Sequence, residues 1–483
     1  MKGNSLASNA VFNILYKLFN ALFPMISTMY VARVLLPSDI GNVGFAQNIV
    51  QYFVLVAVLG IPSYGSRELA KHKNDNITPA ISQLYSELFI LNFLSTSICI
   101  GIYVLFILCF PALQQDIILY SVVGLPLYAN LFNVEWFYIG KRNFRFIALR
   151  NIAVKCIAIV LLLLLVKKPA DYVKYALVYA SASAANHLVN FLHLRKYNIC
   201  FSLDLHICQH LKPVIILLAT SITIELYTLL DVTMVGIICN KSAVAYYTYS
   251  IQIVRVVIII VTAIGGILLP RLSYYISCEK KDMCQYEVNK VLNIILVFLV
   301  PAGAGLLLTA DELIYILYGQ NFADAVNTLR IASLLTITLG FSNLFGSQIL
   351  IAFNDERKIF YATLAGALSN IIMNLMLIPV LQQNGAALAS VLSEGLVTLI
   401  SYKYARKYLK IIPKASNVKC TFFSTIVMSL VLLLIKYFII NILLRFIICV
   451  LAGVCLYVGL NFLLKNQVII EVFRWGKKSI NPH

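Results

Sequence analysis

Fourteen segments of this chain are apolar over about 20 residues or more, the length a helix needs to cross the hydrocarbon core of a bilayer. They run over 9–31, 42–62, 84–110, 116–139, 147–166, 172–194, 213–238, 243–270, 290–310, 328–352, 359–381, 385–405, 420–439 and 442–464. Lipid offers no partner to an open backbone N–H or C=O, so segments of this kind must be helices. Prolines 37, 62, 111, 213, 270 and 379 are expected to mark helix ends. Only 12% of the 483 residues are charged, against about 25% in a soluble domain. No polar stretch is long enough to form a separate soluble domain. The fold class expected is therefore an all-α polytopic membrane protein.

The basic residues orient it. With the N-terminus in the cytoplasm, 27 of the 38 Lys and Arg fall on cytoplasmic segments and 5 on outer ones. The other six, Lys17, Lys155, Arg255, Arg330, Lys436 and Arg445, lie in or at the edge of spans. This asymmetry is the positive-inside pattern, and it puts both termini in the cytoplasm. It also accounts for the net charge of +18 without a nucleic-acid partner. Connecting loops are short and leave little aqueous surface for a catalytic site. No phosphate-binding, metalloprotease or nucleophile-elbow motif is present. Transport is favoured over enzymology.

Eleven cysteines are scattered, mostly in apolar runs, with no CxxC pair, and read as small apolar residues. "HICQH" (206–210) sets two histidines four apart, but structural zinc takes four ligands and no second pair lies nearby. No metal site and no bound cofactor are expected.

Sliding the chain by 204 residues lays "VARVLLPSDIGNVGFAQNIVQYF" (31–53) over "VGIICNKSAVAYYTYSIQIVRVV" (235–257). Each copy reads as a helix, a short turn with one basic residue, and a second helix. Six spans separate the copies, so both share one orientation. That predicts two six-helix lobes related by a pseudo-two-fold axis along the membrane normal. The lobes are expected over 1–200 and 201–410, with 411–483 adding two further helices and a basic cytoplasmic tail.

Polar residues inside spans are costly and are functional candidates by default. At 100° per residue, Asn9, Asn13, Lys17, Asn20, Pro24 and Ser27 fall in an arc of about 80° on the first helix. In the eighth span Thr248, Gln252, Arg255, Thr262 and Gly266 share a stripe. In the seventh, Asp231, Tyr227 and Thr220 lie within about 40°. In the twelfth, Ser390, Glu394 and Ser401 do the same. Plainer readings exist. Glu135, Lys155, Lys436 and Arg445 sit near helix ends and can snorkel to the interface. Glu87 reads as an inner-interface residue. Asp231 and Arg255 can form a structural ion pair, and Asn370 and Asn374 read as interhelical glue.

Several stretches resemble one family. "ARVLLPSDIGNVGFAQNI" (32–49) resembles the first outer turn of bacterial polysaccharide flippases, with Leu36 where a glycine is frequent and Ile40 where an aromatic is. "GIPSYGSRELAK" (60–71) is similar to the G-x-x-x-Y-G-x-R-E stretch after their second helix, and "LYTLLDVTMVGII" (226–238) to their seventh. "SNIIMNLMLIPVLQQNGAALASVLSE" (369–394) resembles their N-x-x-x-N-x-x-x-I-P…G-A-A pattern, with Gln-Asn replacing part of a G-x-x-G spacing before Gly385. The family is the Wzx-type O-antigen and capsule repeat-unit flippases of the multidrug/oligosaccharidyl-lipid/polysaccharide superfamily.

The resemblance implies a V-shaped, alternating-access transporter in the bacterial inner membrane. It implies a cargo of oligosaccharide on undecaprenyl pyrophosphate, and a cavity richer in cations than anions. Lys17 and Arg255 are then the expected pyrophosphate partners, with Asn13, Asn20, Gln252, Thr248 and Tyr227 facing sugar hydroxyls. Asp231, then Glu394, are the expected sites of a coupling proton or sodium ion. A polysaccharide polymerase and a chain-length regulator are the protein partners it suggests. The rivals are a MATE-like drug or cation exporter, a membrane enzyme of glycan assembly, and a structural subunit of an export complex.

Overall fold

The computed structural model describes residues 23–72, 78–202, 204–471 and 474; the side chains of residues 112, 220, 221, 223, 224, 226, 227 and 260–267 fall outside it. Among the described residues all regular structure is helical, and ten helices are long and apolar enough to cross a membrane. Residues 117–132, Cys208–Ala219 and Thr228–Ile238 add shorter apolar helical stretches.

Two compact units divide the chain, Met1–Ala245 and Tyr246–His483. The division falls inside the helix Lys241–Ser277, whereas the lobe boundary was expected at residue 200. The reason is packing: the helix Cys208–Ile238 lies against Pro37–Ala57 and so belongs with the first unit. The repeat register is visible in the helices themselves. One helix ends at residue 34 and the next begins at Pro37; Cys208–Ile238 ends at 238 and the next begins at Lys241. Both boundaries are 204 residues apart.

Within the first unit, Pro79–Cys109 shows why a uniformly apolar helix still has two faces. Leu94, Ile98, Ile102 and Leu105 are exposed, while Thr96, Cys99 and Tyr103 are buried. In lipid there is no hydrophobic gain from helix contact, so close packing and interhelical hydrogen bonds must hold the bundle. Gly41 is one such contact: an added Cβ would lie 1.6 Å from the carbonyl oxygen of Lys241. An aromatic core joins Tyr64, Tyr85, Trp136, Phe137 and Tyr138 at the end that carries the basic loops.

Two segments expected as single helices are interrupted. Residues 116–139 divide into Ile117–Val123, Leu125–Ala129, a 3-10 turn Asn130–Phe132 and Glu135–Gly140. Asparagine side chains meet the opened backbone there: buried Asn92 Nδ2 donates to the Asn130 carbonyl at 2.6 Å, and half-buried Asn133 Oδ1 accepts from the Glu135 N–H at 3.2 Å. Residues 328–352 divide into Ala325–Ala332, Leu335–Ser342 and a π-helical stretch Asn343–Leu350. Pro213, Pro270 and Pro379 lie inside helices rather than at their ends, which membrane helices tolerate because neighbours satisfy the freed groups.

In the second unit the hairpin Glu356–Leu381 and Gln383–Ala405 is closely packed, with Gly385 against the backbone of Leu377. The last helices, Ala415–Phe438 and Ile442–Leu463, pack on each other and on Lys281–Leu308. A non-helical strap, residues 410–414, leads into them. Gln285, Asn289 and Asn293 accept from the backbone N–H groups of Lys410, Ile412 and Lys414 at 2.6, 3.2 and 3.1 Å. Four residues of helix rise about 6 Å and two of extended chain about 6.6 Å. A carboxamide every fourth residue therefore matches every second N–H of the strap.

Candidate functional site

Thr248, Gln252 and Arg255 share a face of the Lys241–Ser277 helix. Thr248 and Gln252 are half-buried, and Arg255 is exposed and makes no ion pair among the described residues. A guanidinium so placed can take a phosphate oxygen pair with two parallel N–H groups. Lys17, Asn13 and Asn20, and the side chain of Tyr227, lie outside the described residues.

Asp231 is buried on Cys208–Ile238 in the first unit. Beside it, Thr233 Oγ1 meets Asn48 Nδ2 at 2.7 Å and the Tyr52 hydroxyl at 2.9 Å, and Asn48 also donates to the Leu229 carbonyl at 3.0 Å. The expected carboxylate thus lies on the helix that packs against Pro37–Ala57, two residues before Thr233.

Glu394 is buried in the second unit with Ser390 and Ser401 on one arc. Ser390 Oγ lies 3.1 Å from the Tyr247 hydroxyl. Gly366 packs on Val397 and Gly385 on Leu377. That register brings Asn370 level with residues 392–393. Asn370 and Asn374 are fully buried one turn apart on Glu356–Leu381, and Asn374 Nδ2 donates to Asn370 Oδ1 at 3.1 Å within that helix.

Several charge clusters differ from the sequence reading. Glu135 has an ion-pair partner: Arg150 Nη2 lies 3.4 Å from its Oε2, and Arg150, counted with the cytoplasmic loops, is itself buried. Lys436 and Arg445 are held in ion pairs by Glu312 and Asp311 on the short helix Ala310–Tyr318. Glu87 is only 2% exposed. It accepts from the His206 N–H at 2.7 Å and lies 2.7 Å from His210 Nε2, while His210 Nδ1 is 2.8 Å from the Tyr64 hydroxyl. A carboxylate only accepts, so this arrangement selects the Nε2–H tautomer of His210. A cavity of about 460 Å³ surrounds the group, lined also by Glu68, His72 and Gln83. The two histidines of "HICQH" therefore fasten a loop; among the described residues no cluster is built to hold a metal. A larger cavity of about 1100 Å³ lies beside the 410–414 strap, lined by Asn289, Lys290, Asn293, Lys414, Asn417 and Glu471.

The model of the family described as "Polysaccharide biosynthesis protein" matches residues 6–276, more than half of the chain. The chain belongs to the polysaccharide biosynthesis protein family. The resemblance to Wzx-type flippases is thereby upheld. This family member is 22% identical over 421 residues to an Escherichia coli (strain K12) protein named "Putative O-antigen transporter", covering 83% of this chain and 97% of that one. It is 24% identical over 238 residues to a Haloferax volcanii protein named "Probable low-salt glycan biosynthesis flippase Agl15", covering 49% and 50%. Among solved structures it resembles the lipid II flippase MurJ in an inward closed conformation, with a TM-score of 0.73 at 16% identity over 96% of this chain and 99% of that chain. An inward-facing multidrug MATE family transporter gives 0.60 at 12% identity over 83% and 94%. At these identities the structural likeness carries the fold, an all-helical transporter fold of the MurJ and MATE kind. The polysaccharide biosynthesis protein is thus a multi-pass membrane protein of the polysaccharide flippase type.

Proposed function

We propose that the chain carries undecaprenyl-pyrophosphate-linked oligosaccharide repeat units from the cytoplasmic to the outer face of the inner membrane, for O-antigen, capsule or exopolysaccharide assembly. The observation that carries the reading is the exposed Arg255 with Thr248 and Gln252 on one helix face, in a member of this family. Arg255 and Lys17 attract the pyrophosphate as paired cations, one from each lobe. Asn13, Asn20, Gln252, Thr248 and Tyr227 meet sugar hydroxyls. The lobes rock about the cargo, both termini remain cytoplasmic, and Asp231 or Glu394 carries a coupling proton or sodium ion.

The test is Lys17→Ala and Arg255→Ala in the native host. Each is expected to abolish surface glycan at unchanged protein level. Normal glycan in both variants overturns the cation assignment. Loss of the protein together with the glycan assigns these residues to structure. Drug sensitivity on deletion, with glycan intact, supports the MATE-like rival.

A further inference from the structure

The cavity of about 1100 Å³ beside the 410–414 strap lies within the second unit and holds none of the residues assigned to cargo or coupling. One stripe of Lys281–Leu308, from Asp282 to Ile294, forms a wall along about 18 Å of helix. The strap, the start of Ala415–Phe438 and the helical residues 467–471 form the other sides. Val468 and Ile469 are buried in the core that Lys281–Leu308 shares with the last two helices, which fixes the 467–471 turn in place.

The carboxamides of the lining have spent their oxygens. Gln285, Asn289 and Asn293 turn theirs to strap N–H groups, Asn417 Oδ1 accepts from the Gln467 N–H at 3.3 Å, and Gln467 Oε1 accepts from Lys414 Nζ at 2.7 Å. Backbone N–H groups and ammonium groups only donate, so these contacts fix which end of each carboxamide is used. Among the described residues Asn289 Nδ2 and Gln467 Nε2 meet no acceptor. Lys290 Nζ lies 3.2 Å from Glu471 Oε2, and both ammonium groups keep N–H bonds to spare. Gln467 and Glu471 are one turn apart, about 6 Å, so Lys414 and Lys290 reach one face of that turn at a spacing that a phosphate can bridge. The two carboxylates of the lining are accounted for: Glu471 pairs with Lys290, and Asp282 lies in the first turn of its helix, where the N-terminal N–H groups favour it. The segments 279–290, 410–419 and 465–474 together carry eight Lys or Arg against four Asp or Glu. The rest of the lining is apolar, and Ile412 is 64% exposed there. A soluble anion gains nothing from apolar walls between two membrane-crossing helices, whereas a lipid uses both its phosphate and its chains.

We propose that this cavity holds one anionic phospholipid of the surrounding bilayer, its phosphate bridged by Lys290 and Lys414 and its chains against Ile294 and Ile412. Asn289 Nδ2 and Gln467 Nε2 donate to the remaining phosphate oxygens. The bound lipid ties the strap and the 467–471 turn to Lys281–Leu308. The site does not rest on the flippase reading.

The test is lipid titration of the purified, delipidated full-length protein in detergent, with bound lipids counted by native mass spectrometry. The probes are phosphatidylglycerol, phosphatidylcholine with the same acyl chains, and inorganic phosphate as competitor. One phosphatidylglycerol is expected to bind first and more tightly than phosphatidylcholine. Lys290→Gln and Lys414→Gln should each weaken that binding about fivefold. Glu471→Gln removes a competing carboxylate and should tighten it. Lys419→Gln, on the same basic segment but outside the cavity lining, should leave it unchanged. Equal affinity for the two lipids, or an equal loss in Lys419→Gln, shows diffuse attraction and overturns the site. Inorganic phosphate that displaces phosphatidylglycerol at equal concentration assigns the lysines to a soluble anion and overturns the lipid. If Lys290→Gln fails to fold, Lys414→Gln and Glu471→Gln decide the matter, and unchanged affinity in both overturns the site. No cargo enters this assay, so failure of the flippase reading leaves its result standing.

Discussion

Glu312 Oε1 lies 2.6 Å from Arg445 Nε, and Glu312 has no exposed side-chain surface. Lys436 completes the group, 3.2 Å from Glu312 and 2.9 Å from Asp311 Oδ2, and Arg330 lies 2.7 Å from the same oxygen. The last two helices are thus fastened by charge to the short helix Ala310–Tyr318.

Removing one partner of a buried pair strands the other. Glu312→Ala is expected to lose about 3–5 kcal/mol of stability. The double variant Glu312→Ala/Arg445→Ala should lose less than the sum of its singles. Thermal unfolding in detergent, read by size-exclusion fluorescence, measures this. Additive losses would contradict the pairing.

The same cluster gives a pH dependence. Burial alone would raise the Asp311 carboxyl; the Lys436 hydrogen bond, then the Lys436 and Arg330 charges, outweigh it and hold the group below its ordinary range. On the 167–171 loop, the Lys174 hydrogen bond and two backbone N–H groups hold Asp171 down to about 2. A carboxyl depressed in the folded state contributes stability that is full above its unfolded value, about 3.9, and is lost as pH falls through the folded one. Unfolding temperature should therefore drop on acidification below about pH 4. Lys436→Met should reduce the part of that drop due to Asp311.

Gly41 and Gly44 are one turn apart and should respond differently to the same change. A Cβ on Gly41 meets the Lys241 carbonyl oxygen at 1.6 Å, while on Gly44 the nearest atom is 3.7 Å away. Gly41→Ala forces two backbones apart and should cost at least about 1–3 kcal/mol. Gly44→Ala should be neutral or slightly stabilising. Comparable yields and melting temperatures for the two would contradict the close approach.

Gln382 joins the helices of the 356–405 hairpin with φ 51° and ψ −132°. Glycine takes such angles freely, and other residues pay of order 1 kcal/mol or more. Gln382→Gly is expected to raise the melting temperature, although it also loosens the unfolded chain. A fall would show that the side chain holds the turn by contacts that outweigh the strain.

What the sequence made legible follows the range of the forces involved. Apolar runs and basic loops are local signals, so helix positions and the 204-residue register could be read directly. The break at 130–134 could not, because its backbone is satisfied by Asn92, 38 residues away. Nor could the ion clusters: Lys436 and Asp311 are 125 residues apart, and each alone looks like an interfacial residue. The family motifs were recognisable before their physical reasons were. Gly41 and Gly385 prove to be helix-contact positions, and Tyr64 positions His210. Of the expected site residues, Thr248, Gln252, Arg255, Asp231 and Glu394 could be located in the fold; Lys17, Asn13 and Asn20 fall outside the described residues.

The most direct test of the central claim is to delete the gene in its own host and count lipid-linked repeat units on each face of the inner membrane. Accumulation on the cytoplasmic face with loss of surface glycan is the predicted result. Unchanged sidedness and unchanged surface glycan would contradict it.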